Sequence, residues 1–148
     1  MKKYKLTDEI KSHHGILLRR IKALSSFDDV KRGDFGGFIE SEENLSHDGC
    51  CWVYNDAKVF GDARVVEDAK ISCLAEVNQT AWVSGHAQVA HTAQVFGDVQ
   101  LYDYSKVLGN AMVHGNVRMY ENATIWGEVN VNGNFKMGAS DVIMGDGV

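Results

Sequence analysis

Val53-Tyr54-Asn55-Asp56-Ala57-Lys58, Val59-Phe60-Gly61-Asp62-Ala63-Arg64 and Val65-Val66-Glu67-Asp68-Ala69-Lys70 are three consecutive phrases with one pattern. The pattern runs on from there to the end of the sequence without an inserted or deleted residue. Its first position is aliphatic every time: Val53, Val59, Val65, Ile71, Val77, Val83, Val89, Val95, Leu101, Val107, Val113, Met119, Ile125, Val131, Met137 and Ile143. Four residues later stands a small residue, unbroken from Ala57 to Ala93 and then at Ser105, Ala111 and Ala123. Half of the phrases place Gly third, often followed by Asp or Asn, as in Gly61-Asp62, Gly97-Asp98, Gly109-Asn110 and Gly133-Asn134.

Six residues are enough for one short strand and one corner. Strand alternation turns the first position inward and its neighbours at positions six and two outward. Gly-Asp and Gly-Asn supply the corner, because these residue types tolerate left-handed backbone best. The small fifth residue fits inside the corner, where a larger one would collide with the core. Three hexads close one triangular coil, so residues eighteen apart stack at the strand spacing of about 4.8 Å. A little over five coils follow from Val53 onward, a prism roughly 25 Å long at that spacing. The expected fold class is therefore an all-β solenoid.

The front of the chain does not repeat. Residues 1–38 read as a small basic N-terminal β cap, and residues 39–148 as the solenoid, regular from residue 53. Tyr4 to Leu6 is expected as a short strand and Gly15 as a turn. Ile16 to Leu24 fits both helical and strand spacing; a strand is favoured, because Gly15 and Ser25-Ser26 leave little room for a helix. Gly33-Asp34-Phe35-Gly36-Gly37 is expected to turn, with three glycines free to take positive φ. Ile39 and Leu45 already keep the six-residue step, but Leu45 to Val53 is eight, which places two extra residues around Cys50 to Trp52. The cap should act as a lid over the open strand edge and dry core of the first coil. At the other end Phe135 and Asp141 break the small-residue column, the first expected to plug the core and the second to face solvent. The last coil's edge is expected to need a partner chain.

The 45% hydrophobic content and 24% charge are those of an ordinary globular chain, and 148 residues suffice for one core. No apolar run approaches the roughly 18 residues of a membrane span, so no membrane is expected and the cytoplasm is the expected location. Three cysteines, two of them adjacent as Cys50 and Cys51, do not make a disulfide framework. The net charge of −5 is unevenly spread: up to residue 32, nine basic residues stand against four acidic ones, and from Gly33 onward six stand against sixteen. A basic head on an acidic shaft could steer partners.

These repeats resemble the left-handed parallel β-helix, the hexapeptide-repeat superfamily, whose characterised members are mostly trimeric acyltransferases with a branch of γ-class carbonic anhydrases. The front portion, from Arg20 to Tyr54, looks like the N-terminal segment of small bacterial and prophage proteins described as transferases. The resemblance implies a left-handed coil, a homotrimer and, if catalytic, acyl transfer. Family acyltransferases commonly carry loops extruded between coils and a proline-containing C-terminal segment; from Val53 onward no loop is inserted and the chain has no proline.

Stacking by eighteen places the candidate catalytic groups. His91 lies one coil above Cys73 in a corner column, a spacing that could pair a nucleophile with its base. His86 lies above Asp68 and below Tyr104, where a carboxylate could support a general base. His86 and His91 also have the His-x4-His spacing of γ-class carbonic anhydrases, but shifted by one in the hexad and with Cys50 or Asn55 at the third ligand's place, so no metal is expected. His114 falls on a flat face between Phe96 and Asn132.

The outward columns say more. One face presents Arg64, Trp82, Arg118 and Lys136 beside Tyr102 and Tyr120, a surface suited to anionic or planar ligands, or to packing in a trimer. A second face presents Trp52, Tyr54, Leu108, Trp126, Val142 and Met144, more apolar surface than a monomer usually leaves wet, and is the expected oligomer contact. The sequence favours a non-enzymatic binding or scaffold protein without a cofactor. The prophage resemblance implies a host component, such as an antiviral defence factor, as the partner to be bound or sequestered, and nucleic acid is disfavoured. The competing expectation is an acyltransferase using acyl-CoA with His86 or His91 as base in a cleft between subunits.

Overall fold

The computed structural model describes residues 2–146 as an all-β solenoid of three sheets, parallel throughout the coils, with one short 3-10 turn at Glu42–Asn44. Each hexad contributes one strand of mostly two residues, and consecutive hexads go to different sheets, so residues eighteen apart pair in register: Val53 with Ile71, Val59 with Val77, Val65 with Val83. One sheet has six strands, which makes about six turns. Three walls result, here called the phenylalanine face (eight strands), the tryptophan face (six) and the ladder face (five).

The first-position residues fill the centre. All of them from Val53 to Ile125 are fully buried, and the fifth-position alanines beside them are at most 1% exposed. Each buried aliphatic side chain contributes about 1.5–3 kcal/mol before its ordering cost. Between coils, the N–H groups of positions two, four and six donate to carbonyls one coil on, as in Tyr54 to Ile71 (2.7 Å), Asp56 to Cys73 (3.2 Å) and Lys58 to Ala75 (2.9 Å). The fifth N–H closes the corner on the second carbonyl, as in Ala57 to Tyr54 at 3.1 Å.

The corner itself is stricter than the glycine pattern suggests. Every third position from Asn55 to Ala139 has φ between +50° and +106°, whether it holds Gly, Asn, Glu, Gln, Cys, His, Asp or Ala. A non-glycine residue there costs roughly 1–2 kcal/mol. The third N–H is also the donor that the coil-to-coil ladder leaves over, and a third-position side chain one coil earlier takes it repeatedly: Asn55 caps Cys73, Glu67 caps Gly85, Asp103 caps Glu121 and Glu121 caps Ala139, at 2.8–3.1 Å.

The N-terminal segment extends the phenylalanine face. Strand β1 (Tyr4–His13) pairs antiparallel with β2 (Ile16–Ala23), β2 pairs antiparallel with β3 (Phe35–Ile39), and β3 joins the solenoid in parallel, Ile39 beside Val59. β1 is longer than the expected Tyr4–Leu6: beyond Leu6 its residues are mostly polar and exposed, held by pairing with β2 and not by burial. The expected turn at Gly33-Asp34-Phe35-Gly36-Gly37 is confined to its start. Gly33 has φ of +95°, but Gly36 and Gly37 lie in β3. They are glycines because the wall approaches closely: a Cβ on Gly37 would sit 2.4 Å from the Ala57 carbonyl oxygen, and one on Gly36 2.6 Å from that of Val53.

Tyr4, Ile21, Ala23 and Val30 join the buried core at this end, and the Tyr4 hydroxyl donates to the Leu45 carbonyl at 2.6 Å. Leu18, Phe38 and Phe60 form a second buried cluster under the hairpin. Lys3 is buried too, its ammonium donating to the carbonyls of Cys51 (2.7 Å) and Gly49 (3.2 Å) above the Phe27 ring. Ion pairs fasten the rim, Arg20 to Glu9 and Asp56, Lys70 to Asp28 and Lys2 to Glu42, and His47 Nε2 contacts Glu42 at 2.8 Å. At the far end Phe135 is half-buried against the core and Asp141 is exposed, its carboxylate accepting from the Gly138 N–H at 3.2 Å. No helix among the described residues is long and apolar enough to cross a membrane.

Gly37→Ala is expected to lower stability by about 1–3 kcal/mol through overpacking. Ala139→Gly, which relieves a left-handed alanine at an exposed corner, is expected to raise it by up to about 1 kcal/mol; urea melts measure both. Asp28, Asp56 and Glu42 are held below the usual carboxylate range, first of all by hydrogen bonds from Lys70, Arg20 and His47 respectively. Their contribution is present above the unfolded carboxylate value of about 4 and lost as pH falls through the depressed folded values. Hydrogen exchange should therefore show β1 and β2 loosening below about pH 4 while the solenoid core stays protected.

Candidate ligand surface

The ladder face is built by register. Arg64, Trp82, Gln100, Arg118 and Lys136 are directly paired along its five strands, all at position six and all pointing away from the core. Val66, Ser84, Tyr102, Tyr120 and Gly138 stand at position two beside them. Neither column contains a carboxylate.

Individual side chains are held differently. Trp82 is 39% exposed. Arg64 reaches Glu43 at 3.7 Å, an exposed pair that contributes little. One Arg118 nitrogen donates to the Asp98 carbonyl at 3.2 Å, and its other donors have no protein acceptor among the described residues. The Tyr102 hydroxyl contacts Gln100. Tyr120 lies across Gly138, where a Cβ would come within 2.2 Å of the ring, so the glycine lets that ring lie flat on the wall. Lys136 is exposed, with no ion-pair partner among the described residues. All six residues expected on this face are thus on it.

The tryptophan face departs from expectation at its N-terminal end. Trp52 is 1% exposed, covered within the chain by the edges of Tyr4 (ring centroids 6.1 Å) and Phe27 (5.3 Å). Tyr54 is half-buried and its hydroxyl donates to Asp29 at 2.7 Å, with Lys70 above its ring. The hydroxyl is pushed up, well above an ordinary tyrosine, by burial first and then by Asp29. Phe27 covers the Trp52 ring and closes it to a second chain, whereas Asp29 holds the Tyr54 hydroxyl and leaves the Tyr54 ring part-exposed. The sequence hides this, because Phe27 stands in a non-repeating stretch with no register to place it. The other four expected contacts remain outward: Leu108 and Trp126 half-buried, Val142 and Met144 59% and 60% exposed.

His91 and His86 stand at corners, at the third and fourth positions of their respective hexads, and His114 stands on a wall. His91 has φ of +62°, and its Nδ1 accepts the Gly109 N–H at 2.9 Å, doing for Gly109 what Asn55 does for Cys73. A neutral imidazole that accepts at Nδ1 carries its proton on Nε2, which can donate but cannot act as a base. No hydrogen bond joins His91 to the Cys73 thiol among the described residues, and all three cysteines are free thiols. His91 instead sits in an open depression of about 250 Å³ walled by Leu108 and Trp126 over Gly109 and Gly127. His86 stacks on Tyr104 (4.9 Å, 7°), and its Nε2 is 3.8 Å from Asp68, whose other oxygen accepts from Cys50 N–H at 3.0 Å. His114 stacks on Phe96 (4.7 Å, 3°) and contacts Asn130 at 2.9 Å. The sequence signal for the corner role was the third position itself, read there as a glycine site and not as a capping site.

No protein-family model matches the chain. Over 72 residues it is 39% identical to an "uncharacterized acetyltransferase", YdcK, of Escherichia coli strain K12; the match covers 43% of this chain and 22% of that protein. The shared stretch and the β-solenoid agree with the hexapeptide-repeat, transferase-like resemblance of the sequence.

His91→Ala should cost about 0.5–1.5 kcal/mol by orphaning a backbone donor, while His91→Asn, which can cap in the same way, should be near neutral in the same urea melt.

Proposed function

We propose that the chain is a non-catalytic binding protein, a stiff prism whose ladder face captures an anionic partner that also presents planar groups. One observation carries this reading: Arg64, Trp82, Arg118 and Lys136 stand in register beside Tyr102 and Tyr120, with no carboxylate in either column. Phosphate or carboxylate groups meet cations at coil spacing, about 4.8 Å apart or multiples of it. Flat rings meet exposed aromatic faces, each stacking contact contributing about 1–3 kcal/mol for a base-sized ring. The prophage resemblance of the N-terminal segment supports a host component, such as an antiviral defence factor, as that partner. Acidic corners flank the face and disfavour a long nucleic acid.

The same reading makes the protein a homo-oligomer, a trimer by family resemblance, joined through Leu108, Trp126, Val142 and Met144. That patch remains outward after the N-terminal segment has covered Trp52 and taken the Tyr54 hydroxyl.

A second reading, acyl transfer from acyl-CoA with His86 or His91 as base, is favoured by the acetyltransferase name of the Escherichia coli relative. The chain spans about a fifth of that relative's length, and the His91 hydrogen bond opposes a base role for its outer nitrogen.

The test combines ligand titration with sedimentation. Nucleoside diphosphates should quench Trp82 fluorescence in the parent chain, and Arg118→Glu with Tyr120→Ala should weaken this at least tenfold with the sedimentation coefficient unchanged. Loss of the oligomer in that variant would make the ladder face an interface instead. Thermal stabilisation by acetyl-CoA that His86→Ala or His91→Ala removes would replace the binding reading with the second one.

A further inference from the structure

Glu76 is the one acidic residue among the outward side chains at positions six and two from Trp52 to Met144; every other carboxylate from Asp56 onward stands at position three, four or five. Two histidines are brought to it from sixty residues away. The β1–β2 hairpin folds down over the phenylalanine face, held by Leu18 and Ile16 against Phe38 and Phe60. Its tip places His13 Nε2 3.0 Å from Glu76 Oε1, both side chains less than a fifth exposed. The Phe60 ring meets His13 edge-on at 5.5 Å and fixes its plane. His14 follows with φ of +52°, a left-handed turn that swings its ring back to 4.1 Å from that of His13. One ligand atom from each of His13, His14 and Glu76 lies within 4.8 Å of the other two.

We propose that His13, His14 and Glu76 bind a divalent transition-metal ion of the zinc type, which clamps the hairpin tip to the solenoid wall. Two imidazole nitrogens and one carboxylate oxygen suit zinc, at about 2.0–2.2 Å each, with water in a fourth place. They do not suit magnesium or calcium, which require oxygen donors. A modest contraction closes the set, and the hairpin tip is the part that can move, since His14 is exposed and the turn carries Gly15. The charged neighbours are Lys58, paired directly beside Glu76 on the sheet, and Lys11 on β1. Both repel a cation and weaken its binding. The hexad pattern gives no sign of this site, because two of its three residues lie outside the repeat.

Isothermal titration of the full, metal-free chain with zinc chloride, together with thermal melts, tests the proposal. One zinc per chain is expected, with the melting temperature raised by a few degrees and hydrogen exchange slowed at the hairpin tip. His14→Asn keeps a residue that tolerates left-handed backbone, and Glu76→Gln keeps an acceptor for His13. Each should melt like the parent without zinc and bind zinc at least tenfold more weakly. A cobalt-loaded parent should show no thiolate charge-transfer band. No zinc binding below about 1 mM, equal affinity in both variants, or a thiolate band would overturn the proposal.

Discussion

A left-handed corner every six residues is the constraint on which the rest of this structure depends. Burying an aliphatic side chain at each sixth position requires the chain to turn at the third, and there L-amino acids are strained and one N–H is left without a backbone acceptor. The chain answers both problems at the same residue. Glycine removes the strain, as at Gly61, Gly85 and Gly97. Where a side chain is kept, it tends to be one that reaches the N–H one coil on, as Asn55, Glu67, His91, Asp103 and Glu121 do. Three of the shaft's carboxylates, Glu67, Asp103 and Glu121, stand at this position and serve as acceptors for the lone N–H.

The faces are left with a different chemistry. Freed from capping, their outward columns carry Lys, Arg, Trp, Tyr and Phe, and the three walls diverge. The phenylalanine face is occupied near its start by the chain's own hairpin, and the tryptophan face is occupied by the segment around Phe27. The ladder face keeps its Trp82 and its cations outward along its whole length. A rigid wall needs no reordering to present them, which lowers the entropic cost of binding.

Much of the fold could be read from the sequence, because first-position burial, corner geometry and eighteen-residue stacking are all consequences of one period. The ladder face was legible for the same reason: Arg118 beside Lys136 follows from counting. What the period could not place were the residues outside it. Phe27 covering Trp52, β1 running on to His13, and Gly36 and Gly37 packed inside a strand all depend on where a non-repeating segment lands. The role of His91 was hidden differently. Its column follows from the period, but whether its ring turns toward Cys73 below or the N–H of Gly109 above depends on a side-chain rotamer that counting does not give.

Histidine at a solenoid corner can thus have a structural cause, and a regular β-solenoid need not be read through the acetyltransferase name of a partial relative. The account holds that function lies on a wall and not at a corner. Side-chain and backbone NMR shifts of the full chain, titrated with a nucleoside diphosphate, test this most directly. The account predicts perturbations centred on Trp82, Tyr102, Arg118 and Tyr120; perturbations centred on His86 and His91, or none at all, would contradict it.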